Sequence, residues 1–458
     1  MAPNILFIMC DQLRADCVEP EAADVKTPAI ASLAREGLWS SNCFTNAPEC
    51  IPARASLITG LYPHQSGITF NQPYTADVAR PNWLQAIRAA GYHTSLFGKT
   101  HLHVTRGNMS DYQPWLAELG FDTANECGGP RELAIRDCEL TRTWREAGLW
   151  DSYRADFKER FETVPHMVRP SPLGVDHYYD VFVAQRAKQF LETYESKQPF
   201  FCHVSFPGPH EPYDAPEPYA SLYDPAKMKP AIRRPDNWRS AVHSHMDTLI
   251  NEPNEHNPGL TDDMIGRLRA NYAGSVTLID DQIAELIAVL KAKGVYEETM
   301  IVLTSDHGEL NGDFGLLRKQ VFLDPAVRIP LVIKPARSQD AARVRGRQDA
   351  IIELMDVGPT LAEAAGGDLS FPGNGLSVMP LVRGERDHHR PYAHSAFRND
   401  TMIVTQAFKT VLNERGDVSW MFDRPGDPDE QNNLALKHEA ETVAERPASF
   451  WRSLFAKA

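Results

Sequence analysis

Residues 4–12, Asn-Ile-Leu-Phe-Ile-Met-Cys-Asp-Gln, decide how the chain is read. Five consecutive large apolar residues, Ile5–Met9, lead within two positions to an acid and an amide. Five apolar residues cannot span a bilayer. No basic segment precedes them and no small-residue cleavage site follows, as a secretory leader would need. A short run apolar on both faces predicts a strand buried on both sides, as in a parallel sheet covered by helices. Thr94–Phe97, Phe200–Phe206, Met300–Thr304 and Leu331–Ile333 share this texture and are read as further parallel strands. Helical stretches alternate with them at Thr27–Glu36, Trp83–Ala90, Val183–Glu195, Asp262–Lys293 and Met355–Ala365. In the longest, Ile265, Leu268, Tyr272, Val276, Ile279, Ile283 and Ile287 recur at spacings of three and four, one stripe for the sheet. Gly294 supplies its stop. The alternation predicts an α/β fold: a large mixed, mostly parallel sheet sandwiched by helices.

The 458 residues exceed one small core and predict a large domain with a smaller companion. Residues 1–385 carry the strand–helix alternation and are read as the catalytic domain. Within them, 104–180 are rich in Arg, Glu and Trp with weaker periodicity, as expected of an insertion shaping a substrate entrance or a subunit contact. Residues 386–458 change texture. Thr401–Val404, Lys409–Asn413 and Ser419–Asp423, with a turn at Arg415-Gly416, predict a small C-terminal α+β subdomain with a short antiparallel sheet. The net charge of −14 argues against nucleic acid and anionic membranes as partners. An anionic substrate would need a local positive pocket or a metal. The seven cysteines are scattered, with no C-x-x-C pair, which excludes a disulfide scaffold or zinc knuckle. With no leader, this points to the cytoplasm.

Carboxyl ends of parallel strands are where loops converge on a crevice. Asp11-Gln12 and Asp306-His307-Gly308 each sit there. Alone, such an Asp is more often a cap or turn residue. As ligands, oxygen-rich donors with one imidazole suit calcium, magnesium or manganese. The most specific stretch is Cys50-Ile51-Pro52-Ala53-Arg54-Ala55-Ser56-Leu57-Ile58-Thr59-Gly60. Pro52 fixes the backbone, and Arg54 on a first helical turn places a cation beside residue 50 at a helix N-terminus, which itself favours anions. A protein tyrosine phosphatase loop needs five residues between Cys and Arg; three stand here. The plain alternative for Cys50 is a buried thiol.

C-x-P-A-R followed by Leu57, Thr59 and Gly60 resembles the signature of type I sulfatases, in which the cysteine is oxidised to formylglycine. Other landmarks follow in that family's order: Pro3-Asn4-Ile5-Leu6…Asp11-Gln12, Gly98-Lys99-Thr100-His101, Pro209-His210-Glu211-Pro212, Asp306-His307-Gly308, Lys319 before Arg328-Ile329-Pro330, and Gly426-Asp427-Pro428…Asn433-Leu434. The resemblance implies the alkaline phosphatase superfamily fold. It also implies one divalent cation per site, calcium first with magnesium or manganese as alternatives, held by Asp11, Gln12, the oxidised Cys50, Asp306 and His307. The hydrated aldehyde would attack the sulfur of a small-molecule sulfate ester, oriented by Arg54. Lys99 and Lys319 would neutralise the sulfuryl oxygens. His210, helped by Lys319, would protonate the leaving group, and His101 would act as the base that expels sulfate. A formylglycine-generating enzyme is the implied maturation partner, and a homo-oligomer is left open.

Two departures stand out. Many sulfatases have Asp-Asp where this chain has Asp11-Gln12, so Gln12 ligates through its amide oxygen or lies behind the ligands. His307 replaces the usual Asn. Both variants occur in the subgroup with phosphonate monoester hydrolases, which makes phosphonate monoester or phosphodiester hydrolysis the rival reading; the Lys99-x-His101 pair favours sulfate. A catalytically dead relative would be expected to lose Cys50, Arg54 or a metal Asp, and all are present. Aryl, alkyl, choline and sugar sulfates all remain open as substrates.

Overall fold

Residues Asn4–Asp11 form β1, at the centre of a nine-stranded sheet in this computed structural model. Residues 2–436 are described, apart from 21, 23, 163, 165, 237 and 340–344; the end of the C-terminal subdomain, 437–458, lies outside the described residues. The other strands are β2 (Leu38–Phe44), β3 (His93–Gly98), β4 (Thr123–Glu126), β5 (Phe200–Pro209), β6 (Thr299–Ser305), β7 (Arg328–Lys334), β8 (Gly346–Gln348) and β9 (Ile352–Glu353). Their order is β4-β3-β5-β1-β6-β7-β2-β8, with β9 also on β2. β1 pairs in parallel with β5 on one side and β6 on the other, Ile5 facing Phe201 and Met300.

Side chains alternate along β1 and divide the core into two layers. Ile5, Phe7 and Met9 pack with helices α2 (Cys50–Thr59), α3 (Trp83–Ala89) and α6 (Val357–Ala364). Leu6, Ile8 and Cys10 pack with α1 (Pro28–Glu36), α4 (Tyr179–Thr193) and α5 (Asp262–Ala292). Tyr272, Val276, Ile279, Ile283 and Ile287 of α5 lie in that second layer, as the stripe requires. Leu268 instead joins Tyr213 and Leu317. Gly294 takes the left-handed φ of 70° that stops the helix. Asp280 of α5 accepts the backbone N–H groups of Ala29 and Ile30 and so caps α1 from outside it.

The mixed, mostly parallel sheet matches the expectation, with one correction. Leu331–Ile333 lies in β7, which runs antiparallel to both β6 and β2. A strand buried on both faces has the same apolar run whichever way it points, so texture cannot reveal direction. Residues 104–180 contribute the edge strand β4, and Met109, Leu133, Leu140, Trp144, Tyr153 and Phe157 to the second layer. Among the described residues, no helix is long and apolar enough to cross a membrane.

A separate antiparallel sheet follows: β10 (Ala393–Phe397), β11 (Asp400–Val404), β12 (Phe408–Leu412) and β13 (Val418–Asp423). Phe397, Met402, Val411, Trp420 and Phe422 pack on Phe44, Phe314, Leu316 and Phe322. Lys409 of β12, almost fully buried, pins the two sheets together. Its ammonium pairs with Asp324, just before β7, and with Glu430 at 2.5 Å. Removing one partner of a buried ion pair strands the others, at a cost of about 3–5 kcal/mol. Lys409→Met is therefore expected to lose about that much stability, read as a lower urea midpoint at unchanged slope. A loss below about 1 kcal/mol, the scale of a surface pair, would show that this clamp does not hold the sheets together.

Candidate active site

The site forms where the parallel strands end. Asp11 is the last residue of β1; Lys99 follows β3, His210 follows β5 and Asp306 follows β6. Cys50 opens α2, after the loop leaving β2. Loops at this edge are bent hard. Among the described residues, eight non-glycines have positive φ, and six of them, Gln12, His101, Asn311, Phe314, Arg318 and Gln320, lie in these loops. Each such conformation costs on the order of 1–3 kcal/mol and persists only where surrounding contacts enforce it.

Four side chains converge. One ligand atom from each of Asp11, Cys50, Asp306 and His307 lies within 4.8 Å of the rest, all buried. The Cys50 thiol is 3.1 Å from His307 Nε2 and 3.5 Å from Asp11 Oδ1. His307 Nδ1 donates to the Gly308 carbonyl at 3.0 Å, which leaves Nε2 with a free lone pair facing the cluster. Asp306 Oδ1 accepts the backbone N–H groups of Gln12 and His307. Two carboxylates and a neutral imidazole are a fitting donor set for a hard to borderline divalent cation.

Cations surround these acids. Arg54 Nε donates to Asp306 Oδ2 at 2.8 Å, and its terminal nitrogens reach Asp11, the Lys99 carbonyl and Ser205 Oγ. Lys99 pairs directly with Asp11. Burial alone would raise the pKa of Asp11, but Lys99, His210 and Arg54 hold it well below the usual carboxylate range. Burial, reinforced by Asp11, pushes the Cys50 thiol far up.

A second network lies beside the first. Lys319 Nζ donates to His210 Nε2 at 2.8 Å and to the Gln12 amide oxygen. The Gln12 amide nitrogen donates to Glu211 at 2.6 Å and to Glu309. His210 Nδ1 donates to the Glu211 carbonyl, and burial, reinforced by Lys319, lowers the His210 pKa to about 4. Glu211 raises the pKa of Lys319 although burial opposes it, so Lys319 stays an ammonium. The Gln12 oxygen thus accepts from Lys319.

His101 stands on the Lys99 side. Its Nε2 is 3.6 Å from Glu132, and its shielded Nδ1 has no hydrogen-bond partner among the described residues. Burial, then Lys99, drives its pKa well down. Thr100 between them turns its hydroxyl to Glu126, which also holds His103 at 2.7 Å.

All the sequence candidates, Asp11, Gln12, Cys50, Arg54, Lys99, His101, His210, Asp306, His307 and Lys319, therefore belong to one connected region. The sequence alone gives no signal for Ser205, Glu309, Glu132 or Asn71, whose side-chain Oδ1 accepts the N–H of Ile51 next to Cys50. It also gave no role to Glu211. Only Glu211 carried a signal, its place inside Pro209-His210-Glu211-Pro212.

The Sulfatase family model matches residues 3–367. The chain is 27% identical to an arylsulfatase of Clostridium perfringens, over 96% of this chain and 91% of that protein. It is 29% identical to the multifunctional alkaline phosphatase superfamily protein PehA of Trinickia caryophylli, over 94% and 91% respectively. Among solved structures, the phosphonate monoester hydrolase of Agrobacterium radiobacter superposes with a TM-score of 0.75 at 25% identity, covering 99% of this chain and 95% of that one. With the motif order, the strand-end cluster and the match across most of its length in agreement, the chain belongs to the sulfatase family of hydrolases, within the alkaline phosphatase superfamily.

Proposed function

We propose that the chain hydrolyses sulfate monoesters, using Cys50 after its oxidation to formylglycine by a formylglycine-generating enzyme. One observation carries this reading: residue 50 sits at a helix N-terminus, buried between Asp11, Asp306 and His307, with the Arg54 guanidinium on the same two acids. A thiol fits that position poorly in two ways. Hard cations take oxygen donors, and a thiol whose pKa is pushed this far up offers no thiolate to attack with. An oxygen at residue 50 would complete the donor set.

Asp11, Asp306 and His307, with the oxidised residue 50, would hold the cation, and calcium suits the donors best. When bound, the ion supplies Lewis-acid activation of the nucleophile and offsets charge on the sulfuryl group. The hydrated aldehyde supplies two hydroxyls, one to attack sulfur and one through which sulfate is later expelled. Arg54 orients residue 50. Lys99 and Lys319 bind sulfuryl oxygens where negative charge lies or develops. The His210–Lys319 pair delivers the proton to the leaving oxygen, and His101 takes the proton whose loss expels sulfate. Gln12 acts as a positioning residue for Lys319.

We place the catalytic unit in residues 1–385. The 104–180 segment, through Gly129 against Lys99 and Glu132 against His101, forms one wall of the entrance. The C-terminal sheet packs on Leu316, Val321 and Phe322, which flank Lys319 in sequence. All seven cysteines are free, which supports a reducing compartment such as the cytoplasm. Phosphonate monoester or phosphodiester hydrolysis is the second reading. Gln12 and the resemblance to a phosphonate monoester hydrolase favour it, and the Lys99–His101 pair favours sulfate.

Protein co-expressed with a formylglycine-generating enzyme will hydrolyse an aryl sulfate, and a peptide mass spectrum will find the aldehyde at residue 50. Cys50→Ala will abolish turnover; wild-type turnover in that variant would sink the mechanism. A larger kcat/KM for an aryl phosphonate than for the matched aryl sulfate would reverse the ranking of the two readings. Chelation will silence the enzyme and added calcium restore it; full activity after exhaustive chelation would remove the metal assignment. His210→Ala will cost about a hundred- to ten-thousandfold in kcat on alkyl sulfates, and far less on 4-nitrophenyl sulfate, whose leaving group needs no proton. Equal losses on both would deny His210 the acid role.

A further inference from the structure

We propose that Glu132 is a positioning residue for His101: it holds the imidazole with Nε2 turned to its carboxylate and leaves Nδ1 as the working nitrogen. The inference rests on the reading of His101 as the base that expels sulfate, and deepens it.

Three independent features of the 126–133 segment point the same way. β4 ends at Glu126, and the chain then turns through Gly128-Gly129 into the short helix Pro130–Leu133. A Cβ on Gly128 would come within 2.5 Å of the Glu132 Cβ, so only glycine there lets Glu132 fold back. A Cβ on Gly129 would come within 3.0 Å of Lys99 Nζ, so this turn lies directly on the Lys99-Thr100-His101 loop. Folded back, Glu132 Oε2 accepts the Gly129 N–H at 3.4 Å and stands 3.6 Å from His101 Nε2.

His101 itself is held in an unfavourable state. Its φ is +58°, in the left-handed region that few non-glycine residues occupy. Its Nδ1 is shielded and unpartnered among the described residues. Burying a ring nitrogen without a partner is unfavourable unless something else uses it. A carboxylate on one imidazole nitrogen fixes the tautomer, and the other nitrogen is left as the proton acceptor. Among the described residues no hydrogen bond or ion pair joins Glu132 to Cys50, Asp11, Asp306 or His307, so it would act through His101.

Glu132→Leu and Glu132→Gln separate this role from simple packing. Glutamine can still place an oxygen opposite Nε2, where the Glu132 carboxylate stands at 3.6 Å; leucine cannot. In matured enzyme, Glu132→Leu is expected to lower kcat about 10- to 100-fold with KM unchanged, the usual size of an orienting-partner loss. Glu132→Gln is expected to keep most of kcat. Heteronuclear NMR of the imidazole nitrogens, with His101 assigned through His101→Gln, reads the tautomer in unmodified, metal-free protein. Wild type will carry the proton on Nε2, and Glu132→Leu will populate both tautomers. A proton on Nδ1 in wild type, or an unchanged tautomer in Glu132→Leu, overturns the proposal, as does an equal fall in kcat for both variants. Loss of all sulfate-ester turnover in wild type would instead defeat the sulfatase reading, and the NMR result would stand apart from it.

Discussion

Two fully buried carboxylates, Asp11 and Asp306, set the terms for the rest of the molecule. An uncompensated buried charge costs several kcal/mol, so every element near them supplies a cation, a dipole or an N–H. Arg54 spans both acids, Lys99 pairs with Asp11, and backbone N–H groups of Gln12 and His307 converge on Asp306. In a chain of net charge −14 this concentrates positive charge at one place, and under the proposed function the groups that stabilise the two acids would also receive the anionic substrate.

The sheet makes that arrangement cheap in conformational terms. Five strands, β1, β2, β3, β5 and β6, end at one edge, and each delivers a candidate site residue to it within a few positions. Lys319 is the exception, since it rides on the long excursion between β6 and β7. The C-terminal sheet offsets that freedom. Its apolar face packs on Leu316, Val321 and Phe322, the residues that bracket Lys319, and Lys409 locks the end of the excursion at Asp324. The small sheet therefore holds Lys319 in register with a larger sheet that carries Arg54 and Lys99.

What could be read from sequence follows from how locally each feature is encoded. β1, β3, β5 and β6 are apolar on both faces and announce themselves. β2 holds Ser40, Ser41 and Asn42 and a register shift between Ser40 and Cys43, so its pattern breaks. β4, Thr-Ala-Asn-Glu, is a short edge with one face open and no apolar run. The direction of β7 has no local signature. In the site, residues inside short motifs were legible because neighbours in sequence fix their geometry. Glu132, Glu309 and Ser205 were not, because each meets its partner only through tertiary packing: Glu132 lies 31 positions from His101, and Glu309 meets Gln12 across 297.

Gln12 shows how a departure from the family pattern can be read physically. An aspartate there would add another buried anion beside Glu211 and Glu309, and could donate to neither. The amide divides its two ends instead: the oxygen takes Lys319 and the nitrogen takes the two glutamates. Glu211 in turn faces Lys319 at 3.6 Å and Arg318 at 3.3 Å. One neutral side chain thereby couples the acid–cation cluster around Cys50 to the His210–Lys319 pair, with its backbone N–H on Asp306 and its side chain on Lys319. Relative to an aspartate, the amide removes one negative charge from this cluster; its oxygen still accepts from Lys319, and its gained N–H donor ties Glu211 and Glu309. The substitution thus trades a charge near Asp306 for a neutral link to Lys319, and under the proposed mechanism Lys319 is the cation that a sulfate ester and a phosphonate ester of the same alcohol would both meet at the leaving oxygen.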